Sequence, residues 1–286
     1  MLVIVTGSSG LLGRHVASAL VSAGHSVLGL DASPSPGDAT WRHASIDLTD
    51  LGAAMQLVRD ASAIVHLAAI PRPTGLAPKH VFRINLACAY NVIESAVHSG
   101  AVRFVYASSM SILGYPFFER PIEPAYLPID SAHPVGPQDA YALSKWLGEE
   151  ILQAGVNRRP KLSAVSLRMP WIQTANSFAR EVVPRREQAN LAARDLWGYL
   201  DARDAAAAFV AAVERPIEGH RRIYVSAADT FMDIETAVLV RSSYPTVEIR
   251  RPFRGFDSVF DLSDAYAILG FEPRHTWRSY RMETVS

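Results

Sequence analysis

A single cysteine, Cys88, stands among 286 residues. An internal disulfide is therefore excluded, and the chain suits a reducing compartment such as the cytoplasm. Cys88 itself reads as a small core residue. The nine histidines are scattered, with no pair at ligand spacing, so no metal site is predicted. Charge of one sign is also lacking: 28 basic and 28 acidic residues cancel. That balance gives no footprint for nucleic acid or an anionic membrane surface. No apolar run reaches the length of a bilayer span. The apolar N-terminus is too short for a signal peptide and starts a strand at once. Internal repeats and low-complexity tracts are missing. The length suits one large domain or a domain with a smaller lobe.

What is present begins at once. Leu2-Val3-Ile4-Val5-Thr6 reads as a strand covered on both faces. Gly7, Gly10 and Gly13 follow, and then an amphipathic helix with Leu12, Val16 and Leu20 on one face. Gly7 lets the chain turn, Gly10 leaves the backbone open to a pyrophosphate, and Gly13 allows close packing of the new helix. The helix start, at Leu11 and Leu12, offers N–H groups and a positive dipole end to phosphates. A second short strand, residues 26–30, ends at Asp31. That lies about 20 residues past the turn, where an acid holds the adenosine ribose hydroxyls. A carboxylate there repels a 2′-phosphate, so NAD is expected over NADP.

Further apolar strands are expected at 41–46, 63–69, 102–107, 162–167 and 222–225. Helices are expected at 81–99, from the cap Asp139 to about 154, and at 201–214; near the end Ser263 reads as a cap and Gly270 as a stop. This alternation predicts an α/β fold: a Rossmann doubly wound parallel sheet with helices on both faces and a small C-terminal substrate-binding lobe. Residues 1–167 would form the main part of the NAD-binding domain. Residues 168–286 would form the substrate lobe, interleaved with the last Rossmann elements. The proline- and aromatic-rich stretch 112–135 is long for a connection and suggests a loop that shapes a site. Ligands of such sheets bind beyond the carboxyl ends of the strands, where Gly7, Asp31, Ala68 and Ser109 all fall. The small residues around Ala68 leave room for a flat ring.

Tyr141 and Lys145 lie four apart on one helix face. A phenol near pKa 10 is a poor base. A neighbouring ammonium, together with the positive ring of an oxidised nicotinamide, is expected to lower that value. The phenolate would then take a proton from an alcohol while hydride leaves its carbon. Ser109 would hold the substrate oxygen against Tyr141, and Lys145 would also reach the nicotinamide ribose.

Taken together, several motifs resemble the extended short-chain dehydrogenase/reductases of the NAD-dependent epimerase/dehydratase type. They are Thr6-Gly7-x-x-Gly10-x-x-Gly13, Asp31, Asp47-Leu48, His66-Leu67-Ala68-Ala69, Asn85, Ser108-Ser109 with Gly114 after it, Tyr141-x-x-x-Lys145, Leu167-Arg168 and Leu269-Gly270-Phe271. The resemblance implies that Ser109, Tyr141 and Lys145 are catalytic, Ser109 rather than Ser108 by its spacing to Gly114. It implies that Gly7, Gly10, Gly13, Asp31, Asp47, Leu48 and Lys145 hold NAD. Leu67 and Ala68 would line the nicotinamide side, with Ala69 beside them. Leu11, Leu12, Asn85 and Tyr141 complete the expected cofactor set.

Departures narrow the expectation. Met110-Ser111 stand where family dehydratases carry an Asp-Glu pair, so water elimination is not expected. Met169-Pro170-Trp171 replace an asparagine and a Tyr-Gly-Pro. The chain is short for nucleotide-sugar enzymes, and its short tail resembles uronate dehydrogenases. By that resemblance Arg194, five residues before Tyr199, would bind a substrate carboxylate through its fork. Pro71 and Met110-Ser111 depart from that subfamily's substrate positions. Ser109, Met110, Ser111 and Arg194 are thus the expected substrate contacts. The expected activity is NAD-dependent oxidation of a hydroxyl on a sugar or sugar-derived molecule. The alternative is an epimerase, which needs a remote anchor such as a nucleotide; Arg185, Arg186, Arg250 and Arg251 are candidates for its phosphates. A non-catalytic NAD(H)-sensing regulator is the third reading. The resemblance also implies a homodimer through the helices near 81–99 and 139–154.

Overall fold

The computed structural model describes residues 1–283. Its strands in chain order are β1 (Leu2–Thr6), β2 (Ser26–Asp31), β3 (Arg42–Ser45), β4 (Ala63–His66) and β5 (Arg103–Ser109). Then come β6 (Tyr126–Leu127), β7 (Ser163–Met169), β8 (Trp171–Gln173), β9 (Tyr199–Asp201), β10 (His220–Tyr224) and β11 (Glu248–Ile249). Seven of them form one sheet in the order β3-β2-β1-β4-β5-β7-β10. Every neighbouring pair is parallel. The chain moves outward from β1 in one direction through β2 and β3, and returns on its other side at β4. That reversal opens a crevice at the carboxyl ends of the strands.

The sheet strands are the seven expected ones, with shifted ends. β5 runs through both serines, because Ser108 pairs with Arg168 and Ser109 with Met169 of β7. Ser109 is therefore held by a ladder up to its own position. Helix α1 (Leu11–Ser22) buries Gly13, Val16, Ala17 and Leu20, a stripe at helical spacing. The helices α2 (Leu51–Val58) and α3 (Pro78–His98) follow, and α3 starts early because Pro78 suits a first-turn position. Helix α4 (Ala140–Arg158) is capped by Asp139, whose carboxylate accepts from the N–H groups of Tyr141 (2.8 Å) and Ala142 (2.9 Å). It runs a turn past the expected end. A later helix, Ala202–Glu214, is capped by Asp201.

Two apolar layers cover the sheet. α1 and the helix Ala202–Glu214 pack on one face; α2, α3 and α4 pack on the other. A separate cluster gathers Phe178, Trp197, Tyr199, Phe260 and Trp277. Phe178 stacks on Trp277 at 5.5 Å between ring centroids. The same cluster takes in Met110, Leu113, Tyr115 and Leu127, so the proline-rich stretch is folded onto it. A 3-10 turn, Met110–Leu113, leads into that stretch, and inside it β6 pairs with β11. Those two-residue pairings carry no sequence period, which is why the stretch reads as loop. Near the end, Gly270 stops its helical turn at φ 62°, as expected. Ser263 is not the cap: it donates its N–H to the Asp261 carboxylate at 2.8 Å.

Candidate active site

The glycine turn is fixed by its neighbours. Gly7 sits at φ 72°, and a Cβ there would lie 2.7 Å from the Ala68 nitrogen. The Thr6 hydroxyl accepts from the N–H groups of Leu67 and Ala68, both at 3.2 Å, and bonds His66 Nδ1 at 2.7 Å. β4 is thereby tied down across the turn. Burial pushes His66 down to about 3, so it is a neutral part of this tie. At Gly13 a Cβ would stand 1.9 Å from the Gly7 oxygen, so the helix packs on the turn itself rather than on the strand. At Gly10 it would meet only that same oxygen, at 3.4 Å. Gly10 is also the cap of α1, with no side chain to occupy the first-turn N–H groups and no acid in that turn. A backbone left open beside uncapped donors is what a pyrophosphate requires.

The acids are equally placed. Asp31 accepts from the N–H groups of Ser9 and Ser33, both at 2.9 Å. Asp47 accepts from the Thr49 hydroxyl (2.7 Å) and N–H (2.9 Å), and these bonds hold its carboxyl below the usual carboxylate range. The residues present therefore fit a dinucleotide: open turn, helix start, and an acid at the end of β2 on the same cavity.

At the other side of the crevice stand Ser109, Tyr141 and Lys145. Ser109 Oγ accepts from the Ser111 N–H at 3.1 Å, which leaves its own proton to donate. The Ser109 hydroxyl lies near the Tyr141 hydroxyl and favours its ionised form. Lys145 is 4% exposed; its Nζ donates to the Ala107 carbonyl at 2.8 Å and lies 5.7 Å from the Tyr141 ring centroid. Burial pulls Lys145 down to about 8, with Cys88 opposing. The expected lowering of Tyr141 is not found in the chain alone. Burial, aided by Asp139, pushes the phenol up to about 12, and the Ser109 hydroxyl only partly offsets this. The Lys145 ammonium is engaged by a carbonyl, so a phenolate here needs a further positive charge.

Beneath the site runs an ion network that the sequence did not reveal. Glu149, on α4 one turn past Lys145, is fully buried. Its carboxylate accepts from Ser108 Oγ (2.6 Å), Arg168 Nε (3.0 Å) and Arg168 Nη2 (2.8 Å). Arg222 Nε lies 3.4 Å away without hydrogen-bond geometry. Arg168 also donates to the Ser131 carbonyl at 3.2 Å. The network joins β5, α4 and β7 directly behind Ser109 and Lys145.

All but two of the residues expected to serve the oxidation of a sugar hydroxyl line one cavity of about 880 Å³. The exceptions are Asn85 and Arg194. Asn85 faces inward: its amide oxygen accepts from the Ile70 N–H (2.7 Å), and its nitrogen donates to the Ile70 carbonyl (3.1 Å) and Ser144 Oγ (3.2 Å). It braces the loop after β4 against α4 rather than meeting a ligand. Arg194 donates to the Pro116 carbonyl (3.1 Å) and the Phe118 carbonyl (3.2 Å) and stacks on Phe118. Its fork is already used, so it does not present a carboxylate site. Arg185 lines the cavity instead, beside Trp171 and Asp195. Arg186, Arg250 and Arg251 lie off the cavity and pair with Asp233, Glu248 and Asp261.

Among the described residues, no three His, Cys, Asp or Glu side chains cluster as a metal site, and no helix is long and apolar enough to cross a membrane.

Comparison with known proteins gives a family profile and several relatives. The profile of the NAD dependent epimerase/dehydratase family matches residues 3–227. The chain is 28% identical to an L-arabinose 1-dehydrogenase (NAD(P)(+)) of Haloferax volcanii, over 68% of this chain and 76% of that one. It is also 28% identical to a putative UDP-glucose 4-epimerase of Methanocaldococcus jannaschii, over 53% of this chain; the match spans 50% of that relative's length. Among solved structures, a short-chain dehydrogenase/reductase superfamily protein from Agrobacterium tumefaciens with bound NAD superposes with a TM-score of 0.75. It is 25% identical, and the match covers 99% of this chain and 95% of that one.

Proposed function

Because this chain belongs to the NAD dependent epimerase/dehydratase family, we propose that it oxidises a hydroxyl of a sugar or sugar-derived substrate, with Ser109, Tyr141 and Lys145 as the catalytic groups. NAD is the cofactor, held by the turn Gly7–Gly13, Asp31, Asp47 and Leu48, with Leu67 and Ala68 against the nicotinamide. The observation that carries this reading is the convergence of Ser109, Tyr141 and Lys145 on the cavity that Gly10 and Asp31 also line.

Bound NAD supplies the hydride acceptor and a positive charge beside the phenol. The chain's own residues manage the proton. Ser109 donates to the substrate oxygen and sets it against Tyr141. Tyr141 Oη, as phenolate, takes the hydroxyl proton while the carbon gives up its hydrogen with the bonding electrons, leaving a carbonyl. Lys145, anchored on Ala107, keeps a cation beside the ring and would hold the nicotinamide ribose when NAD is bound. Positioned proton transfer of this kind is worth about 10²–10⁴-fold in rate.

Epimerisation is the second reading, favoured by the epimerase relatives. One experiment separates the two. The purified chain is mixed with NAD and a sugar panel, and NADH absorbance is followed beside product analysis. NADH in step with oxidised sugar supports the oxidoreductase; an isomerised sugar without accumulating NADH supports the epimerase. Neither change on any sugar overturns both. We further propose a cytoplasmic homodimer joined through the outward faces of α3 and α4, where Tyr90 stands exposed. Sedimentation of wild type and Tyr90→Glu tests that pairing.

A further inference from the structure

At the substrate end of the cavity two pairs of opposite charges stand together, while the exposed Arg72 lines the same cavity. Arg185 and Asp195 both line it, and the Arg185 Nε–H donates to Asp195 Oδ2, with Nη2 at 3.4 Å from Oδ1. Asp195 is 4% exposed. The Arg185 guanidinium also lies 5.5 Å from the Trp171 ring centroid. Beside them Arg180 donates to Glu181 at 2.5 Å, and both residues line the same cavity. A second observation is independent of these charges. Ser111 lines the cavity and is 1% exposed, yet its hydroxyl oxygen has no hydrogen-bond partner. A buried hydroxyl without a partner costs stability unless a ligand or water meets it.

We propose that the substrate is an uncharged sugar whose hydroxyls remote from the reacting carbon are held by the Arg185–Asp195 pair, with Ser111 Oγ as a further hydroxyl partner. This inference rests on the oxidoreductase reading above and names its substrate class. A paired guanidinium and carboxylate keep unused donors and acceptors on both members. They therefore suit vicinal hydroxyls, which donate to one and accept from the other. A substrate carboxylate or phosphate is disfavoured. On the donors Arg185 has left it would stand against the buried Asp195 carboxylate, and to use the whole fork it would have to displace Asp195, the costly way to break such a pair. Burial already pushes the Asp195 carboxyl up to about 6, with Arg185 and Arg194 opposing, so little spare solvation remains to absorb a second anion. Arg194 is turned to the Pro116 and Phe118 carbonyls, and Arg72, which lines the cavity, is exposed to water rather than held in the wall beside Asp195.

The test uses the full chain with NAD and matched probes: neutral aldoses, their uronic acids, and the corresponding sugar phosphates. The expected result is a kcat/KM for the best aldose about 100-fold or more above its uronic acid and phosphate. Asp195→Asn and Arg185→Met are then expected to raise the aldose KM about 10–100-fold, the scale of one hydrogen bond to a charged group. The Kd for NAD stays within about twofold, since the dinucleotide end is untouched. Arg185→Lys, which keeps the charge but not the fork, is the back-up if Asp195→Asn does not fold; its KM rises by about tenfold. Preference for the uronic acid or phosphate overturns this inference and leaves the oxidoreductase standing. So does an unchanged aldose KM in the folded variants. No NADH from any probe overturns both.

Discussion

Glu149→Gln isolates the ion network behind the site. The substitution keeps shape and removes one charge. It leaves Arg168, 3% exposed, facing a neutral amide oxygen, the Ser131 carbonyl and the Tyr224 ring, 5.4 Å from its centroid, with no counter-charge in direct contact. Removing one partner of a buried pair costs about 3–5 kcal/mol, because the other charge stays buried and uncompensated. Unfolding entropy near 2.1 cal/mol/K per residue makes each kcal/mol worth roughly 2 °C in a chain this long. Thermal unfolding by circular dichroism is therefore expected to drop by roughly 5–8 °C. Replacing both partners, Glu149→Leu with Arg168→Met, is expected to recover at least half of that loss. Turnover should fall as well, since Ser108, the neighbour of Ser109, loses its charged partner, while NAD affinity holds. A fall of less than about 2 °C, or a double variant worse than the sum of its parts, refutes the reasoning.

Other expectations follow from the same geometry. Tyr141→Phe should lose about 10²–10⁴-fold in kcat with an unchanged calorimetric Kd for NAD; full retained activity rejects Tyr141 as the base. Gly10→Ala and Gly13→Ala should differ in kind. The first should fold with the wild-type melting temperature and bind NAD poorly, because its Cβ enters the open turn; the second drives a methyl to 1.9 Å from the Gly7 oxygen and should destabilise the fold itself. Equal melting temperatures for the two contradict the account. Lys145 sits at about 8 in the folded chain against 10.5 as its ordinary value. The unfolded state binds the extra proton between those values, so this group's contribution makes stability rise across that window, by on the order of 3 kcal/mol. Urea titrations of wild type against Lys145→Met at pH steps through the window should show the rise only in wild type.

The sequence brought the candidate cofactor residues to one cavity, since they are local. Gly7 to Gly13 and Asp31 belong to one strand–turn–helix–strand unit, and the role proposed for each rests on its position in that unit. The sheet was readable for the same reason: apolar runs recur at helix-separated intervals. The substrate half resisted. Arg194 was chosen by its offset from Tyr199, and that offset does not say which carbonyls a helix-end arginine will meet. Arg185, Asp195 and Trp171 come from separate segments, and only packing brings them to one wall. Glu149 stood beside Glu150 in the sequence with nothing to separate them, yet one is fully buried and the other exposed. Asn85 was recognised as a motif residue, but its role is to brace a loop. Tyr141 shows a different limit: spacing put an ammonium near a phenol, whereas burial decides the phenol's acidity.

Calorimetric titration of the purified chain with NAD tests the central claim most directly. The account predicts saturable heat with one dinucleotide per chain, retained in Tyr141→Phe and weakened in Gly10→Ala. No heat from NAD or NADH at millimolar ligand contradicts it.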